Sequence, residues 1–171
     1  MILDIIQYPD PRLRNTTVEL TELTGTIRTL ISDMAETMYA ARGVGLAAPQ
    51  VGQAIRLILV DASGPDARKD LRVFINPRLS VLDPTPVEDE EGCLSVPFNY
   101  RAPICRAAKV ALDALDMDWN PVHVEAEGLM AVCLQHELDH LEGKVFLDHI
   151  HRLKRTIFDT RIKKWLRRKS P

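Results

Sequence analysis

The sequence is poor in aromatic residues and in cysteine, and it has no apolar run that approaches the length of a membrane span. Phe, Trp and Tyr make up 5% of the 171 residues, whereas the hydrophobic share of 46% is ordinary for a globular protein. The opening residues are too short and too acidic a segment for a signal peptide. These absences argue against a membrane or secreted protein and predict a single cytoplasmic domain with ample surface to bury.

Three cysteines, Cys93, Cys105 and Cys133, form an odd set with no C-x-x-C spacing. Such a set argues against a disulfide framework, because bridges need paired cysteines and occur mainly in secreted proteins. The sequence therefore predicts reduced thiols, of which one can serve as a metal ligand.

The net charge of −2 hides an uneven distribution along the chain. Residues 152–171 contain nine Lys or Arg and a single acid, Asp159, so this tail carries a charge of +8. Residues 1–151 contain thirteen basic and twenty-three acidic side chains, for a charge of −10. A basic tail on an acidic body suggests a polyanionic partner, either RNA or a lipid surface.

The motif H-E-x-x-H begins at His136 and organises the segment around it. Residues four apart on a helix lie one turn above each other, so His136 and His140 can direct two imidazoles at one metal ion. Glu137 lies beside them and can take a proton from water and return it to a leaving group, as metal-assisted hydrolysis requires. The alternative is that both histidines are hydrogen-bonded core residues, which this motif alone leaves open.

The residues around the motif predict a buried helix. One apolar face carries Leu129, Val132 and Cys133 together with the two histidines, and further apolar residues supply a second face. We expect Glu125 and Glu127 to lie near the start of this helix and Gly143 to end it.

The rest of the chain predicts an α+β fold rather than a repeating βαβ pattern. We expect a helix from about Gly25 to Arg42, capped by Thr24 and ended by Gly43. Residues 43–50 are small and nearly uncharged, and they suit a tight helix-to-strand connection as well as a ligand-binding loop. The predicted strands are Arg56–Val60, Val73–Ile75, Lys109–Met117 and Val122–Val124, of which the last two form a hairpin.

Three other segments complete this prediction. Pro77, Pro84 and Pro86 indicate an irregular segment or a sheet edge. The acidic run Glu88–Glu91 is typical of a solvated loop, yet it leads into a short apolar segment that carries Cys93 inward. The final segment is amphipathic, and its predicted apolar face consists of Leu153, Ile157, Phe158, Ile162, Trp165 and Leu166. The complete prediction is a single α+β domain with small antiparallel or mixed sheets around a central buried metal-binding helix, an N-terminal helix and a C-terminal amphipathic basic helix.

A catalytic metal site of this kind needs a third protein ligand and an open position for water. His149 and His151 follow the motif, as the ligand of a zincin-type metallopeptidase would, but they come only nine and eleven residues after His140, just past the glycine that ends the helix. Cys133 lies one turn before His136, where three ligands on one helix would crowd the ion. Cys93 comes from a separate segment and is a further candidate. The spacing of these residues alone does not decide which of them is the third ligand.

Three motifs, in this order and spacing, closely resemble the signatures of the peptide deformylase family: G-V-G-L-A-A-P-Q at Gly43–Gln50, E-G-C-L-S at Glu91–Ser95 and Q-H-E-L-D-H at Gln135–His140. The resemblance covers most of the chain. It implies a metal-dependent hydrolase that removes the formyl group from N-formylmethionine on nascent polypeptides and releases formate. It also implies the metal ligands Cys93, His136 and His140.

By the same resemblance, Glu137 is the general acid and base, and the Gln50 side chain and the Leu94 backbone N–H stabilise the oxyanion. The implied substrate contacts are Val44, Gly45, Arg101, Leu129, Val132 and Cys133. Asp139 is expected to pair with Arg106 in a structural role, while Gln135 and Glu91 are expected to orient the ligands and their loop.

The resemblance implies one divalent metal ion, with Fe²⁺ as the expected physiological ion and Zn²⁺, Ni²⁺ or Co²⁺ as other ions that this ligand set suits. It also favours the form common in Gram-negative bacteria, with residues 1–151 as the catalytic part and residues 152–171 as a basic helix of the same domain. We expect this helix to dock on ribosomal RNA, and we expect neither a membrane nor DNA as a partner. A non-catalytic ribosome-associated module is the other alternative.

Two departures from the family pattern bear on specificity. The segment Phe98–Tyr100 is about one residue longer than in several relatives, and Asp89 stands where some carry an aliphatic residue. These differences leave open the preference for the second and third residues of the substrate.

Overall fold

A computed structural model describes residues 1–169, which form three α-helices and one five-stranded antiparallel sheet. The helices are α1 (Gly25–Ala40), α2 (Gly128–Leu141) and α3 (Arg152–Lys169). The strands are β1 (Gly45–Ala47), β2 (Leu57–Val60), β3 (Arg72–Gly92), β4 (Arg101–Leu115) and β5 (Pro121–Glu127). Across the described residues, no helix combines the length and the apolar composition needed to cross a membrane. The α+β class is confirmed, with a single sheet.

The strand order of the sheet follows the order of the chain, so each strand pairs with the next one in sequence. The predicted hairpin is confirmed, because β4 and β5 pair from Lys109 opposite Glu127 to Leu115 opposite Pro121. The turn between them is closed by bonds from the backbone N–H groups of Asp118 and Asn120 to the Asp116 carboxylate.

Strand β3 is much longer than the predicted strand Val73–Ile75, and it includes the acidic run that was expected to form a loop. It pairs with β2 only as far as Ile75, whereas its pairing with β4 continues to Gly92. The three prolines therefore lie in the part of the strand that has no β2 neighbour. Its register with β4 shifts at three places between Ile75 and Pro86. A proline on a free edge removes no ladder hydrogen bond, which explains why the strand continues through all three.

Helix α1 begins as predicted, with the Thr24 hydroxyl accepting a hydrogen bond from the Ile27 N–H at 3.3 Å. Its apolar face packs against β1 and β2 through Ile31, Met34 and Met38, all of them buried. The predicted end at Arg42 with Gly43 as the stop is wrong, because the helix ends at Ala40 and Arg42 itself takes the left-handed conformation, with a φ of 58°.

Helix α2 is the central buried helix that the sequence predicts. It packs on β1, β2 and β4, and Leu134 and Leu141 are fully buried on its core side. Gly143 follows it with a φ of +70° and confirms the predicted stop. Glu127 is the N-cap residue of α2, near its start as expected, whereas Glu125 belongs to β5 and forms an ion pair with Lys109.

Helix α3 packs on a second apolar cluster through Phe158 and Ile162, which are both buried. Its predicted apolar face is wrong in part, because Leu153 and Ile157 are more than 60% exposed. The rest of the protein therefore covers only part of the predicted apolar face of α3. Residues 170–171 of the predicted basic tail lie outside the described residues.

Candidate active site

Three side chains from two elements meet at one point beside α2. Cys93 follows the end of β3, while His136 and His140 occupy successive turns of α2. One potential ligand atom from each lies within 4.8 Å of the other two, and Cys93 Sγ is 3.3 Å from Nε2 of His140. Within the described part of the chain, no other group of three His, Cys, Asp or Glu side chains is arranged in this way.

The chemistry of this donor set fits a metal ion of the zinc or iron(II) type, which binds thiolate and neutral imidazole. Burial lowers the pKa of His140 to about 3, so its imidazole is neutral. Burial also opposes the charged form of His136, but bonds to Cys93 and Glu91 raise its pKa well above the ordinary value. The negative groups that favour a proton on His136 would equally favour a metal cation in its place, so the cluster suits an ion held by two imidazoles and a thiolate.

Glu137 lies next to this group in a nearly closed environment. Its side chain is 4% exposed, and within residues 1–168 its Oε2 atom has no hydrogen-bond partner. Burial raises the pKa of this carboxyl to about 7, so that it can both accept and return a proton near neutral pH. Gly45 faces it so closely that a Cβ atom on residue 45 would be 2.3 Å from Glu137 Oε1. Only glycine leaves this carboxylate in place.

Gln50 directs its amide group at Cys93. The side-chain carbonyl accepts a hydrogen bond from the Ala47 N–H at 2.8 Å, which orients the Nε2 donor toward Cys93 Sγ at 3.5 Å and Ser95 Oγ at 3.1 Å. The Leu94 N–H donates to no other group among the described residues. Two donors therefore flank the thiol, which is the arrangement that a developing oxyanion requires. Ser95 lies within the E-G-C-L-S motif, but its bond to Gln50 was not expected from the sequence.

A cavity of about 650 Å³ opens beside these groups. It is lined by all six predicted substrate contacts, Val44, Gly45, Arg101, Leu129, Val132 and Cys133, and also by Gln50, Cys93, Leu94, His136 and Glu137. His140 lies behind them, fully buried. Arg42, Asp89, Glu90, Asn99 and Tyr100 also line this cavity and were not predicted as contacts, because they come from loops and edges whose paths depend on the fold.

A buried ion-pair network supports His136 from behind, whereas the buried Nδ1 atom of His140 has no hydrogen-bond partner among residues 1–168. Arg106 donates to both Glu91 oxygens, at 2.7 and 2.9 Å, and to Asp139 at 2.6 Å, as the Asp139–Arg106 prediction requires. Glu91 also lies 2.8 Å from Nδ1 of His136. Burial alone would raise the pKa of Glu91, but its bonds to Arg106 and His136 lower it to about 2. The carboxylate stays charged and orients the imidazole.

The other candidates for the third ligand lie elsewhere. His149 bonds to Asp139 at 2.7 Å and closes the network toward the surface, a contact that the sequence analysis missed. His151 and Cys133 are likewise outside the convergent group. Gln135 bonds the backbone N–H and C=O of Ala107, so it fastens α2 to β4 rather than to the ligand loop.

Comparisons with known proteins identify the family of this chain. The family model described as polypeptide deformylase matches residues 2–156. A peptide deformylase from Psychrobacter cryohalolentis is 48% identical over 166 residues, covering 97% of this chain and 89% of the relative. One from Pseudomonas aeruginosa is 44% identical over 169 residues, covering 99% of both. The crystal structure of a peptide deformylase from Legionella pneumophila superposes with a TM-score of 0.89 at 42% identity, covering 99% of this chain and 98% of the other.

Proposed function

Since this chain belongs to the polypeptide deformylase family, we propose a part in the family's reaction for each group that lines the cavity. The enzyme is a metal-dependent hydrolase that removes the formyl group from N-formylmethionine at the start of new proteins. Water adds to the formyl carbon, the C–N bond breaks, and formate and a free amine are released. The observation that carries the assignment of roles is the convergence of Cys93, His136 and His140 beside Glu137.

The ligands of the metal ion are Cys93 as thiolate and His136 and His140 as neutral imidazoles, and the physiological ion is Fe²⁺. When bound, the ion supplies a Lewis acid that polarises the formyl carbonyl and makes water more nucleophilic. Glu91 holds His136 through its Nδ1 atom, at 2.8 Å, so that the other ring nitrogen is directed at the ligand cluster.

Glu137 is the general base and then the general acid. Glu137 lines the cavity, and its Oε2 atom, which has no hydrogen-bond partner among residues 1–168, takes the proton of the attacking water. The same carboxyl then delivers this proton to the leaving nitrogen. Its burial keeps bulk water from competing for the proton.

The negative charge that develops on the formyl oxygen is stabilised by the Gln50 side-chain amide and the Leu94 N–H. The Gln50 donor is already oriented in the free protein, because its side-chain carbonyl accepts a hydrogen bond from the Ala47 N–H. No reorganisation is then needed when the charge appears.

The methionine side chain enters the apolar part of the cavity formed by Val44, Leu129, Val132 and Cys133. Gly45 and the segment at Leu94 bind the substrate backbone as an added strand would, and Arg101 contacts it at the rim. Asp89 and Arg42 add one negative and one positive charge to the lining of the cavity. They influence which side chains the enzyme prefers at the substrate positions after methionine.

The test is formate release from formyl-Met-Ala-Ser by protein prepared without oxygen, with the metal content measured on the same sample. Cys93→Ala should lose the metal and the activity, whereas Cys105→Ala, a change at an exposed thiol outside the cavity, should keep both. A zincin-type endopeptidase would keep its ion in Cys93→Ala.

A second variant separates binding from chemistry. Glu137→Gln should keep its metal but lose roughly 10²–10⁴ in kcat, the range that general acid and base catalysis supplies. Normal turnover by this variant with the metal bound would contradict the proposed role of Glu137.

We further propose that the enzyme acts in the cytoplasm, where the basic segment 152–171, which belongs to the same domain and contains α3, docks on ribosomal RNA. Most of the basic side chains of α3 are exposed, which favours an electrostatic contact with a polyanion. Co-sedimentation with ribosomes should fall steeply with salt and disappear when residues 152–171 are removed. Binding that survives the deletion would refute the docking proposal.

A further inference from the structure

A second and smaller groove lies on helix α3, close to the mouth of the main cavity. Its volume is about 150 Å³, and it is lined by Tyr100, Lys154, Ile157, Phe158 and Arg161. Three of these residues are apolar or aromatic, and Ile157 is 64% exposed although it belongs to the predicted apolar face of the helix. An exposed apolar floor of this kind is typical of a surface that contacts another molecule.

Tyr100 joins the groove to the main cavity, because it lines both of them. Its ring packs on Phe158 at a centroid distance of 4.5 Å. Among residues 1–168, the Tyr100 hydroxyl forms no hydrogen bond, so this donor is available at the boundary between the two cavities. A chain that leaves the cavity past Tyr100 arrives at the groove.

The loop that carries Tyr100 is held rigidly against α3. Phe98 and Asn99 have φ values of 69° and 50°, a region that non-glycine residues rarely adopt. The Phe98 ring packs edge-on against Trp165 at 5.5 Å, and the Arg161 guanidinium lies 4.1 Å from the Phe98 ring centroid. Strained backbone that the surrounding contacts maintain is concentrated at functional sites.

Two cations border the groove at opposite ends. Lys154 and Arg161 form no ion pair among residues 1–168, and both are exposed. They lie two turns apart on α3, a separation of about 10 Å, which an extended peptide spans with about three residues. The groove therefore combines an apolar floor with unpaired positive charge over the length of a short peptide segment.

We propose that this groove is a subsite for the substrate residues that lie several positions after the formylmethionine, and that it prefers an apolar side chain followed by acidic ones. The proposal rests on the proposed function, since it places the start of the same peptide in the main cavity. The apolar side chain covers Ile157 and Phe158, and the acidic side chains pair with Lys154 and Arg161. The substrate chain is the occupant that the shared Tyr100 favours, because it starts in the cavity to which the groove is joined.

The experiment measures kcat/KM for formyl-Met-Ala-Ser and for two extended peptides, formyl-Met-Ala-Ser-Phe-Glu-Glu and formyl-Met-Ala-Ser-Phe-Lys-Lys. We expect the acidic hexapeptide to exceed the basic one about tenfold at low salt, mainly through KM, from two partly exposed charge pairs. The difference should disappear at about 0.5 M salt, where the screening length is only a few ångströms.

The double variant Lys154→Glu/Arg161→Glu should reverse this preference, so that the basic hexapeptide becomes the better substrate. Such a reversal requires higher activity toward the basic hexapeptide than toward the acidic one, a result that a misfolded variant would not give. The control is Arg28→Glu/Lys69→Glu, which changes the net charge equally at two exposed sites far from the groove and should keep the parent's preference.

Three results would overturn or redirect the inference. Equal kcat/KM for both hexapeptides, with formyl-Met-Ala-Ser hydrolysed normally, refutes the subsite but leaves the proposed function intact. No hydrolysis of any peptide by metal-loaded protein refutes the proposed function instead. Equal peptide rates together with RNA binding that requires Lys154 and Arg161 would assign the groove to RNA and refute the peptide subsite.

Discussion

Replacing Gly45 by alanine puts a methyl group where the Glu137 carboxylate lies. The added Cβ atom would be 2.3 Å from Oε1, 2.9 Å from Cδ and 3.1 Å from Cγ of Glu137. These separations are below van der Waals contact, so the carboxylate has to move by roughly 1 Å. The backbone of Gly45 does not have a positive φ, so the substitution introduces no backbone strain. The closest contacts of the added methyl group are thus with Glu137, the proposed acid and base.

A displacement of about 1 Å in a catalytic group costs on the order of a hundredfold in rate. We therefore expect Gly45→Ala to lower kcat for formyl-Met-Ala-Ser by about a hundredfold. The metal content should not change, because the added methyl group meets Glu137 and none of the three ligands. The assay is steady-state formate release with the metal measured on the same sample. If the methyl group obstructed the substrate backbone instead, KM would rise while kcat stayed high.

The matched control is Gly25→Ala, the same change at the start of α1, where an added Cβ atom meets nothing within 4 Å. This variant should have the parent's kcat and metal content. The reasoning is refuted if Gly45→Ala keeps its metal and turns over within about twofold of the parent. In that case Glu137 either tolerates the displacement or does not act at the position described here.

Two further predictions concern stability. Arg106→Met should lower the free energy of unfolding by about 3–5 kcal/mol, because it leaves the buried Glu91 carboxylate without its cation; urea titration measures this, and a loss below about 1 kcal/mol would contradict it. Partial burial alone would raise the pKa of Asp148, but hydrogen bonds from Arg14 and Arg155 hold it well below the ordinary value. A folded pKa below the unfolded one gives stability that is present above about pH 4 and is lost as the pH falls further. Asp148→Asn should therefore make the loss of stability in acid less steep, and an unchanged pH dependence of the unfolding midpoint would count against this assignment.

The predictions that held are those that depend on local geometry. The spacing of His136 and His140 places both on one face of any helix, and the caps Thr24 and Gly143 act within a single turn. The role of Cys93 as third ligand does not follow from local geometry. The spacing of residues left several candidates for that ligand, and only the family resemblance selected Cys93. The structure brings it to 3.3 Å from His140 through the pairing of β3 with β4, which no local pattern encodes.

The predictions that failed depend on neighbours that the sequence does not name. Three prolines interrupt the sequence pattern of β3, so the sequence predicted only a short strand there. The strand nevertheless continues, because its pairing with β2 ends before the first of these prolines. Leu153 and Ile157 fit the helical period of an apolar face, yet the body of the protein covers only part of α3. His149 was considered as a ligand, whereas a partner ten residues earlier, Asp139, binds it instead.

The order of the strands along the sheet has a consequence for how the enzyme is made. Each strand pairs with the one synthesised just before it, so the sheet can grow hairpin by hairpin while the chain is still being elongated. Two of the three proposed ligands lie on α2, which starts at Gly128, after the whole sheet. A nascent copy of this enzyme therefore completes its framework before it can acquire its ion. Loading with metal is then a late event in its biogenesis, and metal limitation should leave folded, empty protein rather than unfolded chains.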